Sequence, residues 1–267
     1  MPTSLYFNDE YTVGWVSMLD DEHGDAQTTP GEYDDNTYIL GAIGKHKIVV
    51  VCLPRDHYGA ISAAAVAKDM LHTFQQIRFG LMVRIDIRLG DVVVGSDNRN
   101  GGVVLYDFGK RLADGSFEAM YALDQPPRSL RTALSRLESD HMLQGSQISV
   151  FVDRMQEMYP SLRDNGWGRP DKSTDLLFRL DHQHVAGRTC LNYDKPAIHY
   201  GTIATGSAVV KHSATRDEIK HVHGAICLEM EAASLMNNFP YLIIRGISDY
   251  ANLHKNDGWR NYAEKSL

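Results

Sequence analysis

Cysteine is scarce here: Cys52, Cys190 and Cys227 are the only three in 267 residues. An odd, scattered set with no CxxC pair supports neither a disulfide framework nor a thiolate metal site. Cys52 and Cys227 lie inside apolar runs, where a thiol serves as a small core residue. A reducing, cytoplasmic setting is therefore the expectation. Long apolar runs are also missing. Stretches such as "KIVVVCL" and "YLII" fall far short of the ~20 residues a membrane-spanning helix needs. Basic charge is not in excess: 27 Lys and Arg stand against 34 Asp and Glu, a net charge of -7. That balance argues against a nucleic-acid backbone as partner and leaves small molecules and proteins. The opening "MPTSLYFNDEY" has neither a basic start nor an apolar core, so no secretory leader is expected.

What is present reads as a globular α/β chain. Hydrophobic residues make up 43% and charged residues 23%, enough to bury a core without staples. "YTVGWV" (11–16) is rich in β-branched and aromatic residues and predicts a strand. An acidic loop follows over 20–36. Residues 37–53 predict two strands joined by a tight turn around Gly44-Lys45-His46, and "PRDHYG" (54–59) breaks the run. The Ala-rich segment 60–74 has apolar residues at helical spacing. "IRFGLMV" (77–83) and "DVVVG" (91–95) predict strands with both faces covered. Helices are expected over 126–143 and 148–159, then a long connection over 160–196. After it come a strand (197–206), a helix (213–222), the strand "AICL", the helix "EMEAASLMNN", the strand "YLIIRGI" and a terminal helix "DGWRNYAEKSL". This alternation, with one antiparallel pair near the start, predicts a mixed, mostly parallel central sheet flanked by helices on both faces. No linker or repeat divides it, so residues 1–267 read as a single domain.

In such sheets ligands bind outside the carboxyl ends of the strands. "AICL" ends at Glu229 and "YLIIRGI" ends beside Ser248-Asp249, so acids stand at two such ends. Glu229 and Glu231 are two apart at a helix start and are expected to face different ways. Carboxylates in a first turn are also favoured by the helix dipole, by ~0.3–1 kcal/mol, which is the structural alternative to a ligand role.

The stretch "GAICLEMEAASLMNNFPYLIIRGISDYA", with "YGAISAAAVA", "IRLGDVVV", "GGVVLYDFGK" and "IHYGTIATGSAVVK", resembles the nucleoside phosphorylase and nucleosidase superfamily, most closely its fungal branch. The resemblance implies cleavage of the N-glycosidic bond of a purine nucleoside or a related nucleoside, by phosphorolysis or hydrolysis. It implies that Asp249 protonates or hydrogen-bonds the departing base, which requires a dry pocket to hold its pKa near working pH. Glu231 would accept the ribose hydroxyls and Met230 would cover the sugar face. Val209 and Val210 would wall the base, and Ser248 joins these substrate contacts. Arg245 would orient or charge-balance Asp249, or else form a structural ion pair. Glu229 is expected to be structural. A homo-oligomer is implied, and no cofactor beyond phosphate as co-substrate.

Two segments depart from the family pattern. The first-strand loop "GWVSMLDDEHGD" is too short to supply the usual phosphate contact or water-activating glutamate, although Asp20, Asp21 or Glu22 could substitute. After "FGLMV" the Gly-rich anion-binding loop is missing, and Arg84 stands where it should begin. Arg84 either offers a guanidinium in its place or faces solvent on a shortened connection. A separate anion site is conceivable where "PRDHYGAIS" meets the Ala-rich helix, with Arg55, His57 and Ser62 as donors. His182-Gln-His184 and His221-Val-His223 lack matching carboxylates, so no metal is expected. A non-catalytic nucleoside-binding or assembly domain is the alternative function. A third reading is the same fold recruited to other small-molecule chemistry.

Overall fold

The computed structural model describes residues 8–17, 34–54, 59–84, 89–97, 101–113, 117–119, 122–161, 168–171, 174, 196–246, 251 and 259. The predicted elements among the described residues recur with shifts of one or two residues at their ends, except α5, which starts three residues later than expected. β1 (Val13–Ser17) is followed by the hairpin β2 (Tyr38–Ile43) and β3 (His46–Cys52). That hairpin turns at Gly44, whose φ of 59° suits glycine. Next come α1 (Ala60–Thr73), β4 (Phe79–Arg84) and β5 (Val92–Gly95). Three short strands fill a region whose sequence carries no clear period: β6 (Val103–Leu105), β7 (Gly109–Arg111) and β8 (Phe117–Ala119). α2 (Arg128–Gln144), α3 (Ile148–Met158), β9 (Ile198–Thr205), α4 (Ser213–His223), β10 (Ala225–Glu229), α5 (Ala232–Met236) and β11 (Tyr241–Gly246) complete the order. The expected terminal helix and most of the 160–196 connection lie outside the described residues.

The main sheet runs β10-β9-β5-β11-β4-β1-β3-β2, with β6 also on β9. Its ladders are parallel except β2–β3 and β5–β11. The β2–β3 pair is the antiparallel pair expected near the start. The β5–β11 pair, with Val94 opposite Ile244, was not expected. It splits the sheet into two parallel blocks that run in opposite directions. A short run of valines is equally buried either way round, so its sequence carries no direction. β9 changes neighbours midway: residues 198–201 pair with β5, and 202–205 pair with β10 and β6.

Helices cover both faces. Val93, Met82 and Ile243 share one core with Ala63, Val66, Ala67 and Met70 of α1 and with Ala232, Leu235 and Met236 of α5. Their neighbours along the strands, Val92, Val94 and Leu242, pack on Leu134 of α2. Successive strand residues point to opposite faces, so the all-apolar run feeds two cores at once. Each fully buried valine or leucine contributes about 1.5–3 kcal/mol. α4 packs Ile219 on Ala204 and Ala225.

The carboxyl end of α1 is tied down by a polar knot. Asp34 is buried and accepts hydrogen bonds from the hydroxyls of Thr73 and Tyr38 and from the Asn36 amide N–H. Asn36 Nδ2 donates to Tyr38 Oη and to the Val66 carbonyl. Burial pushes the Asp34 carboxyl up, but hydrogen bonds from Thr73, Tyr38 and Asn36 outweigh it and hold the group below its ordinary value.

Candidate functional site

The site is built where three chain segments meet. β10 delivers Glu229 as its last residue, and α5 begins three residues later at Ala232. Glu229 Oε2 accepts the backbone N–H groups of Glu231 and Ala232, both at 2.9 Å. A helix start leaves such donors without helical partners, so the Glu229 carboxylate fixes the turn that presents Glu231. Glu231 Oε2 accepts the Met230 N–H at 3.2 Å, and its Oε1 accepts the Gly59 N–H at 3.3 Å. Gly59 immediately precedes α1. The positive end of the α1 dipole therefore meets a carboxylate from within the protein.

Arg245 arrives from the far block of the sheet. Its Nη1 lies 3.6 Å from Glu229 Oε2 and 4.0 Å from Glu231 Oε2. Glu229, Glu231 and Arg245 are 4%, 0% and 2% exposed, so these charge contacts operate away from screening water. Two carboxylates share one guanidinium. Burial pushes the Glu229 carboxyl up, Arg245 pulls it down and the Glu231 charge pushes it up again. The net shift is upward.

This geometry revises one expectation. The i, i+2 spacing predicts that Glu229 and Glu231 face different ways. Instead both Oε2 atoms turn to one nitrogen of Arg245. Helical periodicity does not apply, because Glu229 belongs to the strand and the helix starts only at Ala232. Among the described residues Arg245 pairs with the two glutamates, and Asp249, the acid it is expected to orient, lies outside them. Glu229 matches its structural reading.

The loop after β9 is clamped beside this cluster. The Gly206 N–H donates to the Glu229 carbonyl at 3.0 Å. Thr205 Oγ1 accepts the Ala233 N–H at 3.3 Å. A Cβ on Gly206 would lie 2.4 Å from the Tyr106 ring, so only glycine fits. Tyr106 Oη donates to the Ala208 carbonyl, and the Ser207 N–H and hydroxyl both donate to Asp107 Oδ2. Burial, then the charges of Asp107 and Glu229, raise Tyr106 to about 12. It therefore remains a neutral donor. Of the two expected base-wall residues, Val209 is exposed and Val210 packs on the Ala204–Ile219 cluster. Met230 is half-buried at the turn.

Arg84 is the last residue of β4 and stands opposite Arg245 in the β4–β11 ladder. Ser62 is half-buried in the first turn of α1. Ser248, Asp249, Arg55 and His57 lie outside the described residues, as do Asp20, Asp21, Glu22, His182 and His184. Among the described residues no three His, Cys, Asp or Glu side chains form a metal-binding group. His221 and His223 end α4, and burial lowers the pKa of His223. Sequence reasoning missed Gly59, Thr205 and the Tyr106–Asp107 clamp. The one available signal was the paired glycines around the "AAAVA" helix and the "ATGS" loop.

Comparison with known proteins places this arrangement in a class. A profile of the phosphorylase superfamily matches residues 18–265, and the chain belongs to that superfamily. A nucleotide-binding leucine-rich repeat (NLR)-like protein of Hyaloscypha variabilis is 38% identical over 285 residues, covering 96% of this chain. The chain spans only 28% of that relative's length. A 5'-methylthioadenosine/S-adenosylhomocysteine nucleosidase of Mycobacterium bovis is 36% identical over 62 residues, which is 21% of this chain and 24% of its own length. Among solved structures, the Helicobacter pylori 5'-methylthioadenosine/S-adenosylhomocysteine nucleosidase aligns with a TM-score of 0.55 at 15% identity, covering 97% of this chain and 93% of its own. The futalosine hydrolase of the same organism aligns at 0.54 and 14% identity, covering 96% and 92%. At that identity these two likenesses concern the fold alone. No described helix is long and apolar enough to cross a membrane.

Proposed function

We propose that this protein cleaves the N-glycosidic bond of a nucleoside, with a purine nucleoside as substrate. The observation that carries this reading is the buried Glu231 carboxylate, oriented by Gly59 and Met230 and paired with Arg245 at the carboxyl ends of two opposed strand blocks. A fixed, desolvated carboxylate is a strong acceptor for sugar hydroxyls. Met230, beside it, has the soft side chain suited to a sugar face. In this reading Asp249, four residues after Arg245, supplies the proton or hydrogen bond that the departing base needs. The names of the related nucleosidases support an adenine-type base. Bond cleavage of this kind needs no metal and no resident cofactor. Phosphate enters only as co-substrate if the reaction is phosphorolysis.

A second reading rests on the connection after β4. From Arg84 to Val92 the chain must pass the end of β11, because β11 lies between β4 and β5. Only seven residues, 85–91, make that passage. So short a span leaves little length for an anion-cradling loop and favours a domain that binds a nucleoside without turning it over. One experiment separates the two. The protein is incubated with adenosine, inosine and 5'-methylthioadenosine, with and without phosphate, and free base is followed. Cleavage predicts base release that Asp249→Asn lowers by about 100-fold or more. Binding without release would overturn the catalytic reading in favour of the second.

A further inference from the structure

We infer that Tyr106 and Asp107 are positioning residues that clasp the β9–α4 loop with Val209 turned to solvent, so that the site stays open beside the acid cluster and accepts nucleosides whose base carries a bulky substituent. This rests on the functional reading above and adds to it the size class of base that the site takes.

A loop beside a ligand sets the size of what it borders only if its own conformation is fixed. The β9–α4 loop is rooted at the acid cluster: the Gly206 N–H donates to the Glu229 carbonyl at 3.0 Å, and the Ala233 N–H donates to Thr205 Oγ1 at 3.3 Å. Past that root it is held from the other side, by the residues that follow β6. Leu105 stands opposite Thr205 in the β6–β9 ladder, and the Tyr106 N–H extends the pairing to the Thr205 carbonyl at 3.0 Å. The Tyr106 ring closes on Gly206, where a Cβ would lie 2.4 Å away. Tyr106 Oη donates to the Ala208 carbonyl at 3.3 Å. Asp107 Oδ2 accepts both the N–H and the hydroxyl of Ser207. Gly206, Ser207 and Ala208 are thus each fixed by Tyr106 or Asp107, and no single contact carries the loop.

The clasp decides where the next two side chains go. Tyr106 and Val210 pack on the same Ala204, Ile219 and Ala225 cluster beneath α4. With 206–208 held and Val210 drawn under α4, Val209 is left outside at 63% exposure. Burying a valine is favourable, so its exposure follows from the clasp and not from the preference of the side chain. Ser207 and Ala208 are exposed as well. This loop therefore leaves an open side next to Glu229, through which a substituent on the base can pass to solvent. A valine folded over the base would instead close that side and reject the extra bulk.

The test compares adenosine with an adenosine that carries a benzyl group on its exocyclic amine. Both are given to the wild type, Asp107→Ala and Tyr106→Phe. Base release gives kcat and KM, and titration calorimetry reads the same preference as a ratio of affinities if the site binds without turnover. The wild type is expected to accept the two within about tenfold of each other. Asp107→Ala releases Ser207 and Tyr106→Phe releases the Ala208 carbonyl, so Val209 becomes free to fold inward. The preference for adenosine should rise by about tenfold in Asp107→Ala and about threefold in Tyr106→Phe. The change should fall on KM for the benzyl compound, with kcat for adenosine unaltered. Hydrogen exchange at Ser207 should be faster in Asp107→Ala while its thermal melt stays near that of the wild type. If Asp107→Ala does not fold, Tyr106→Phe carries the test alone. A wild type that rejects the benzyl compound by more than about tenfold, equal losses on both nucleosides, or a ratio unchanged in both variants would overturn the inference and leave the functional reading intact. A wild type that neither binds nor cleaves either nucleoside would overturn the functional reading and this inference with it.

Discussion

Two of the buried acid clusters among the described residues are solved in opposite ways. Among the described residues Asp34 meets neutral donors: the Thr73 and Tyr38 hydroxyls and the Asn36 amide. Those bonds outweigh burial, and its pKa is lowered. Glu229 has a full positive charge beside it and two backbone donors, yet burial and the second carboxylate still raise its pKa. The difference lies in the count of charges. Asp34 is one acid among donors that saturate it. Among the described residues Glu229 and Glu231 both face Arg245. The first knot fastens the end of α1 to the segment before β2. The second keeps two carboxylates against a guanidinium in a dry place, which is the arrangement expected where a site is poised for a ligand.

The largest effect that separates the clusters should come from Arg245→Met. Removing one partner of a buried ion pair leaves uncompensated charge, and the cost is about 3–5 kcal/mol. Urea denaturation reads it directly. Adding Glu229→Gln to the same protein removes one of the two orphaned carboxylates and should return part of the loss. If the double variant is no more stable than Arg245→Met alone, the two acids do not share the arginine in the way the distances indicate.

At the neutral knot the expected effect is smaller. Asp34→Ala removes the acceptor for two hydroxyls and one amide, and leaves the buried Tyr38 hydroxyl with fewer partners. A loss of about 1–3 kcal/mol follows. No charge is stranded, so no second-site change among Thr73, Tyr38 and Asn36 should restore stability in the way Glu229→Gln does for Arg245→Met. A rescue of similar size there would erase the distinction between the clusters.

The contrast also marks how far the sequence could be read. Elements were legible wherever a period was present. The Ala-rich segment folds as α1 with Ala63, Val66, Ala67 and Met70 on its buried face, and the 37–53 hairpin turns where Gly44 requires it. Direction was not legible. Nothing in "DVVVG" says that β5 runs against β11, because that fact lies in how the whole sheet closes. At the site, the position of Glu231 and Glu229 at a strand end followed from the motif and the strand pattern. Their common partner did not. Arg245 lies 14 residues from Glu231 along the chain, and only the meeting of two opposed strand blocks brings them within 4.0 Å. On sequence alone the Asp34 knot is the tail of an acidic loop. Its signal, Asp-x-Asn-x-Tyr, is too short to distinguish from ordinary loop chemistry.

The smallest expected effect is a pH dependence, and it tests the contrast most directly because the two acids must act with opposite sign. The folded-state pKa of Glu229 lies above its ordinary 4.5. Between the unfolded and folded values the native protein holds a proton that the unfolded chain has released, so stability from this group is full below about 4.5 and is lost as pH rises through the folded value. Asp34 has a folded pKa below its ordinary 3.8, so its contribution is present above that value and is lost as pH falls through the folded one. One group can change the slope by no more than ~1.4 kcal/mol per pH unit. Stability measured by denaturation from pH 3 to pH 9 should therefore lose its decline on the high side in Glu229→Gln, and part of its decline on the acid side in Asp34→Asn. Parallel curves for Glu229→Gln and the wild type would mean that Glu229 is ionised throughout. The Arg245 charge would then hold Glu229 ionised against burial and the Glu231 charge, and the pairing of two acids that sets this cluster apart from the Asp34 knot would carry no free-energy consequence.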